Sequence, residues 1–170
     1  MKGFLNNTNR LFGKGNAAKK NNQTSSVDRS SITVLVVDDS RTQLYVSEKA
    51  LHQFGFSVIT AENGKEGIIK AREKKPDLVL MDIVMPEVNG FQATRYLTRH
   101  PETSHIPIII VSSSDQEADK AWGLKLGACD FVTKPTDPAQ LLTKILRNLP
   151  DKQSSQKQSE LAETESHQAS

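Results

Sequence analysis

Apolar and polar residues alternate along the middle of this chain in blocks that predict strands and helices in regular succession. Five short apolar or β-branched runs predict strands at residues 33–37, 56–60, 78–81, 106–111 and 129–133. Amphipathic segments after them predict five helices at residues 41–54, 64–74, 91–99, 115–126 and 137–149. Strands that alternate with helices of this length form parallel sheets with right-handed crossovers. The pattern therefore predicts an α/β domain with helices on both faces of the sheet.

The two ends of the chain lack this pattern. Residues 1–31 are rich in Asn, Lys and Ser and carry six basic side chains against one acidic, which predicts a disordered basic arm. Apolar pairs at Phe4–Leu5 and Leu11–Phe12 leave a second interpretation open, an amphipathic helix that contacts a membrane or a partner. Residues 150–170 are polar and predict a disordered tail. The folded domain is expected at residues 32–149.

The composition of the chain indicates which partners and which cellular compartment to expect. The net charge of +2 comes from the arm, because residues 32–149 hold fourteen basic and fifteen acidic side chains. A nucleic-acid groove in the domain is therefore not indicated. No apolar run approaches the roughly 20 residues of a membrane span, and no secretory signal is evident. The single cysteine, Cys129, fits a reducing compartment and is expected to be packed rather than reactive, so we expect a cytoplasmic protein.

Reactive polar side chains stand where four of the predicted strands end. Asp38 and Asp39 follow the first strand, Asp82 the third, Ser112 the fourth and Lys134 the fifth. The carboxyl ends of parallel strands lie at one edge of the sheet, where ligands of such folds bind. Taken alone, the first two acids could cap the following helix. Together, the five residues predict a single site at that edge.

The chemistry of this set suits a phosphoryl group. Three carboxylates close together repel one another unless a cation joins them or some remain protonated, and carboxylate oxygens suit Mg²⁺. Such a cation and Lys134 would neutralise phosphoryl oxygens, and the Ser112 hydroxyl would donate a hydrogen bond. One carboxylate is left as a nucleophile. Asp82 is the best candidate because its strand is central.

These residues, in this order, resemble a known family. The matching positions are Asp38, Asp39, Asp82, Met85, Pro86, Gly90, Ser112, Lys134 and Pro135. Over residues 32–149 the chain resembles the receiver domain of two-component response regulators, which is CheY-like. The resemblance implies a flavodoxin-like (βα)5 fold, a doubly wound parallel sheet with strand order 2-1-3-4-5.

The resemblance also implies roles for the site residues. Asp82 would accept a phosphoryl group from the phosphohistidine of a histidine kinase. The carboxylates of Asp38, Asp39 and Asp82 and the backbone carbonyl of Val84 would bind Mg²⁺. Lys134 would pair with the phosphoryl group.

Three further features follow from the same resemblance. Ser112 occupies the position of the switch hydroxyl, and Phe131 that of the switch aromatic residue, which is often tyrosine. Phosphorylation would move both and reshape the face made by the fourth helix, fifth strand and fifth helix. The Lys134–Pro135 peptide bond is expected to be cis. The Val84 side chain cannot hydrogen-bond a hydrolytic water, which suggests slow self-dephosphorylation.

Longer stretches narrow the family. Residues 81–95 and 115–123 are similar to single-domain regulators of type IV pilus twitching motility, although such regulators usually lack an arm like residues 1–31. The 21 residues after Leu149 leave no room for a DNA-binding output domain. We therefore expect a stand-alone switch that catalyses only its own phosphorylation and dephosphorylation. It would act by contact with a motility protein, a kinase or another regulator.

Three other functions stay open or are disfavoured. The chain could be a phosphate sink for a shared kinase, or an adaptor that its basic arm recruits to a membrane or acidic partner. A phosphatase of the haloacid dehalogenase type also forms an aspartyl phosphate, but it needs an Asp-x-Asp motif after the first strand. The sequence Asp38-Asp39-Ser40 does not supply that motif.

Overall fold

A computed structural model describes residues 29–149, and its elements alternate as the sequence predicts. The strands are β1 Arg29–Val37, β2 Phe56–Ala61, β3 Leu78–Asp82, β4 Ile108–Ser112 and β5 Asp130–Thr133. The helices are α1 Arg41–Gln53, α2 Gly64–Lys74, α3 Gly90–Arg99, α4 Glu117–Lys125 and α5 Pro138–Asn148. All four strand pairs are parallel, in the order β2-β1-β3-β4-β5. The flavodoxin-like fold is thereby confirmed.

Helices cover both faces of this sheet because its central strands are apolar on both sides. Every residue of β3 is buried, from Leu78 to Asp82. One core cluster joins the sheet to α1 and α5, through residues such as Leu51 and Ile145. Another joins it to α2 and α3, through residues such as Ala71 and Leu97. The sheet is therefore held firmly, and its edges position the loops that follow each strand.

Strand β1 begins earlier than expected. The domain was predicted to start at residue 32, but Arg29 already belongs to the strand. The Arg29 guanidinium lies 5.6 Å from the centre of the Phe56 ring, a cation–π distance. The Ser57 hydroxyl donates a hydrogen bond of 2.7 Å to the Ser30 carbonyl. These contacts belong to a strand that begins at Arg29, before the predicted run at residues 33–37.

Strand β4 begins later than expected, at Ile108 instead of Ile106. Pro107 has no N–H to donate to the neighbouring strand, and it restricts the residue before it. The Ile106 amide instead donates to the Thr103 carbonyl, 2.9 Å away, and closes a turn. Ile106 is nevertheless buried, so its apolar character reflects the core rather than the strand.

Residues 1–28 of the predicted basic arm at residues 1–31, and the whole predicted polar tail at residues 150–170, lie outside the described residues. Between residues 29 and 149, no helix is both long enough and apolar enough to cross a membrane.

Candidate functional site

The strand register brings the predicted site residues to one edge of the sheet. Val37, the last residue of β1, pairs with Met81, so Asp38 follows β1 at the level of Asp82. On the other side of β3, Asp82 pairs with Val111. The acids that follow β1 therefore lie beside the acid that ends β3, as the parallel arrangement predicts.

Lys134 joins two of these acids. Its Nζ donates to Asp38 Oδ2 at 2.6 Å and to Asp82 Oδ1 at 2.7 Å. Both carboxylates are buried, and the lysine side chain is only 17% exposed. In a partly desolvated setting such charge-assisted hydrogen bonds are strong and hold their partners in place. Lys134 thus fixes the two carboxylates across a sequence separation of 96 and 52 residues.

Asp39 completes a group of three acids. One carboxylate oxygen from each of Asp38, Asp39 and Asp82 lies within 4.8 Å of the others, and Asp39 is exposed to solvent. Lys134 supplies one positive charge against three negative charges. Hard oxygen ligands that leave room for water match the coordination preference of Mg²⁺. The donor set therefore fits the expected metal.

The pKa values of Asp82 and Lys134 reflect this crowding of charges. Burial raises the pKa of Asp82 above its usual value, and repulsion from Asp38 adds to the rise. Hydrogen bonding and attraction from Lys134 oppose it, as does the Val84 amide. Burial by itself lowers the pKa of Lys134, but its hydrogen bonds to both carboxylates outweigh burial, so its pKa is raised. Burial therefore destabilises the charged form of Asp82 by more than Lys134 and the Val84 amide stabilise it.

Backbone amides hold the two buried acids in place at the ends of their strands. The Ser40 amide donates to Asp38 Oδ1 at 2.9 Å, and the Ser40 hydroxyl accepts from the Gln43 amide at the start of α1. The Val84 amide hydrogen-bonds to Asp82, and the Val84 side chain is exposed. A role for the Val84 carbonyl in metal binding stays a prediction.

Ser112 and Phe131 lie on the two strands beyond β3. Ser112 ends β4, is fully buried, and accepts a hydrogen bond of 3.0 Å from the Ser114 amide. Phe131 is buried against Ile83 and Ile110. The Lys134–Pro135 peptide bond that follows β5 is cis, which confirms that expectation.

The contact between Gly90 and the acceptor loop was missed in the sequence. Gly90 counted there only as a position that matches the family, but its amide donates to the Ile83 carbonyl at 3.0 Å. A Cβ at this position would lie 1.9 Å from the backbone oxygen of Asp82. The signal was present as Asn89-Gly90 at the start of a helix, eight residues after the acid. Gly90 therefore allows α3 to approach the carboxyl end of β3.

Trp122 lies on the solvent side of α4. Its side chain is 49% exposed, and Lys125 Nζ lies 5.6 Å from the ring centre. Because Gly123 is the buried residue of this helix, its neighbour Trp122 faces outward.

Comparisons with known proteins agree with the site. The family model described as "Response regulator receiver domain" matches residues 34–146. Protein PilH of Pseudomonas aeruginosa is 55% identical over 112 residues, which cover 66% of this chain and 93% of PilH. The regulatory protein PhoP of Bacillus subtilis, named for alkaline phosphatase synthesis and transcription, is 35% identical over 66% of this chain and 46% of PhoP.

Solved structures give the same result. Chemotaxis protein CheY4 of Vibrio cholerae matches with a TM-score of 0.66 and 29% identity, over 69% of this chain and 98% of CheY4. A chain from the CheX-CheY-BeF3-Mg²⁺ complex of Borrelia burgdorferi matches with a TM-score of 0.65 and 28% identity, over 68% of this chain and 87% of that one. With fold and relatives in agreement, this chain, which is similar to PilH, belongs to the response regulator receiver domains, a family of signalling domains.

Proposed function

We propose that this chain is a single-domain response regulator that accepts a phosphoryl group on Asp82 from a histidine kinase. The observation that carries the proposal is the buried Asp82 carboxylate, held by Lys134 beside two further carboxylates. An Asp82 oxygen attacks the phosphorus of the kinase phosphohistidine. The phosphorus–nitrogen bond breaks, the imidazole leaves, and an acyl phosphate forms. Lys134 then pairs with the new phosphoryl oxygens.

The metal site is part of this proposal. Asp38, Asp39, Asp82 and the Val84 carbonyl would hold Mg²⁺, and the three carboxylates already lie within 4.8 Å of one another. When bound, Mg²⁺ would neutralise charge that develops on the phosphoryl oxygens. The name of the Borrelia complex includes both Mg²⁺ and BeF3, a phosphoryl mimic, which supports the assignment.

We propose that Ser112 and Phe131 transmit the change. The Ser112 oxygen accepts from the Ser114 amide, and the Ser114 hydroxyl donates to Asp119 in α4. When Ser112 turns to donate to the phosphoryl group, this link moves the loop before α4. Phe131, which already packs against Ile83 and Ile110, shifts within this cluster, and the face made by α4, β5 and α5 changes.

The similarity to PilH and to twitching-motility regulators supports a role in type IV pilus or chemotaxis-like motility, in the cytoplasm, by protein contact.

An exposed apolar side chain at Val84 leaves a hydrolytic water without a side-chain partner there. We therefore expect a long-lived phosphoryl group, which favours an output switch over a phosphate sink. Rapid loss of the phosphoryl group from purified protein would reverse that preference.

Trp122 fluorescence offers a test of the proposed switch. Beryllofluoride with Mg²⁺ should change the fluorescence of the native protein, because Trp122 lies on α4, next to the moving loop. The change should vanish when Mg²⁺ is omitted and in an Asp82→Asn variant. Ser112→Ala should reduce the change while Asp82 still accepts a phosphoryl group from acetyl phosphate. A full response in Asp82→Asn would contradict the proposed acceptor.

A further inference from the structure

The outer surface of α3 carries two arginines without partners. Arg95 and Arg99 stand one helical turn apart. Within residues 29–149 neither guanidinium forms an ion pair or a hydrogen bond. Arg41, by contrast, pairs with Glu62 at 3.2 Å. Two free guanidinium groups side by side are the usual means by which proteins recognise acidic motifs.

The arginines line a shallow groove of about 430 Å³. Its described lining consists of Gln92, Arg95, Tyr96, Arg99, His100 and Pro101, with no acidic side chain. Glu102 is close by, but it is engaged by Arg72 at 3.1 Å and lies 3.7 Å from His100. The positive charge of the groove is therefore not neutralised by its surroundings.

An aromatic wall stands beside the cations. The rings of Tyr96 and His100 stack with centroids 5.5 Å apart and an angle of 21° between their planes. Tyr96 remains 42% exposed. The wall offers a flat, partly apolar surface against which the aliphatic part of a bound segment can pack.

We propose that this groove is a docking site for an acidic, extended segment of a partner protein. Side chains at positions i and i+4 of a helix are about 5–6 Å apart at their Cβ atoms. Alternate residues of an extended chain are roughly 6.6 Å apart. Two carboxylates separated by one residue therefore match Arg95 and Arg99, and each carboxylate can be bound by a guanidinium fork.

Charge balance favours an acidic protein segment over a nucleic acid or an anionic membrane. Residues 32–149 carry fourteen basic and fifteen acidic side chains, and the Arg72–Glu102 pair adjoins the groove. A long polyanion would meet these acids, whereas a segment with two carboxylates would meet only the two arginines.

The groove is separate from the phosphorylation site. Gly90, at the start of α3, contacts Asp82, whereas Arg99 ends the helix. A helix of ten residues is about 15 Å long, so a segment bound near Arg99 leaves the acidic edge open. The inference therefore does not depend on the phosphorylation mechanism.

The test uses the full chain and a fluorescent probe peptide, Ser-Glu-Ala-Glu-Ser, with Ser-Gln-Ala-Gln-Ser as the neutral comparison. We expect the acidic probe to bind more tightly, and more weakly as salt is raised. Arg95→Gln with Arg99→Gln should weaken binding about tenfold. A matched variant, Lys65→Gln with Arg147→Gln, removes two exposed charges elsewhere and should bind within about twofold of native.

Three results would overturn the proposal. The first is equal binding of both peptides, and the second is native affinity in the double arginine variant. The third result concerns the C-terminal residues of the chain itself, which contain Glu163-Thr164-Glu165, the same spacing of acids. If a Glu163→Gln, Glu165→Gln variant binds the probe about fivefold more tightly than the native chain does, the tail competes with the probe. The tail, and not a partner protein, is then the occupant of the groove. Acetyl phosphate should modify the double arginine variant as it does the native protein, so failure here and failure of the phosphorylation proposal are distinguishable.

Discussion

A Lys134→Ala variant is expected to lose about 3 kcal/mol of unfolding free energy near neutral pH, and to be phosphorylated about 100-fold more slowly. The reason is that Lys134 is the cation within 2.6–2.7 Å of Asp38 and Asp82, two carboxylates that are nearly buried. Without it, their charges remain in a desolvated site with no partner, and the phosphoryl group loses its counter-ion. Urea denaturation and acetyl phosphate labelling measure the two effects.

The stability loss in this variant should depend on pH in a defined direction. Burial already raises the pKa of Asp82, and removing Lys134 removes the main influence that lowers it. A carboxyl group with a raised pKa in the folded state binds more protons when folded than when unfolded, so stability increases as pH falls. The deficit of Lys134→Ala should therefore shrink between about pH 7 and about pH 4.

Lys144→Ala serves as the matched control. Lys144 pairs with Asp130 at 2.6 Å, in a more exposed position. Burial tends to raise the pKa of Asp130, but the bonds from Lys144 and from the Phe131 amide lower it overall. A lowered pKa gives stability that is lost as pH falls. Lys144→Ala should cost about 1 kcal/mol near neutral pH. Because the native protein loses the contribution of this pair when Asp130 is protonated, the smaller deficit of Lys144→Ala should disappear only in strong acid. If the stability loss of Lys134→Ala is the same at every pH, repulsion between unpaired buried carboxylates is not its cause.

A Gly90→Ala variant is expected to lose about 3 kcal/mol of unfolding free energy and to disturb the acceptor loop. The added Cβ would lie 1.9 Å from the Asp82 backbone oxygen and 2.8 Å from its carbonyl carbon. Both are backbone atoms, so α3 or the end of β3 must move. Thermal denaturation and labelling with acetyl phosphate would measure both consequences.

Gly123→Ala provides the comparison for Gly90→Ala. Gly123 is also a buried helical glycine, but a Cβ there would approach Ile110 Cδ1 at 2.5 Å, the end of a flexible side chain. Alanine also favours the helix by up to about 1 kcal/mol. The variant should stay within about 1 kcal/mol of native stability. Equal losses in the two variants would show that backbone contact at Asp82 is not what makes Gly90 necessary.

Much of this architecture could be predicted from the sequence because it depends on local patterns. The buried run Leu78–Met81 indicated a central parallel strand, and parallel strands place their carboxyl ends at one edge. The meeting of Asp38, Asp82 and Lys134 follows from that rule. The order of the strands came from the family resemblance, since periodicity does not determine which strands are neighbours.

Other features depend on contacts between distant residues. The sequence treated Asp38 and Asp39 as a pair, but only Asp38 is buried and bonded to Lys134, because one turns inward and the other outward. The early start of β1 depends on Arg29 meeting the Phe56 ring, 27 positions away. The necessity of Gly90 depends on how closely α3 approaches the sheet. No periodic pattern in the sequence indicates any of these contacts.

Phosphorylation of this chain is proposed to occur on Asp82. The most direct measurement is to treat the full chain with acetyl phosphate and Mg²⁺, trap the acyl phosphate by borohydride reduction, and locate the modified residue by peptide mass spectrometry. We expect modification at Asp82 alone, dependent on Mg²⁺ and absent in Asp82→Asn. Modification that persists in Asp82→Asn, or an unmodified native chain, would contradict it and favour a phosphorylation-independent adaptor.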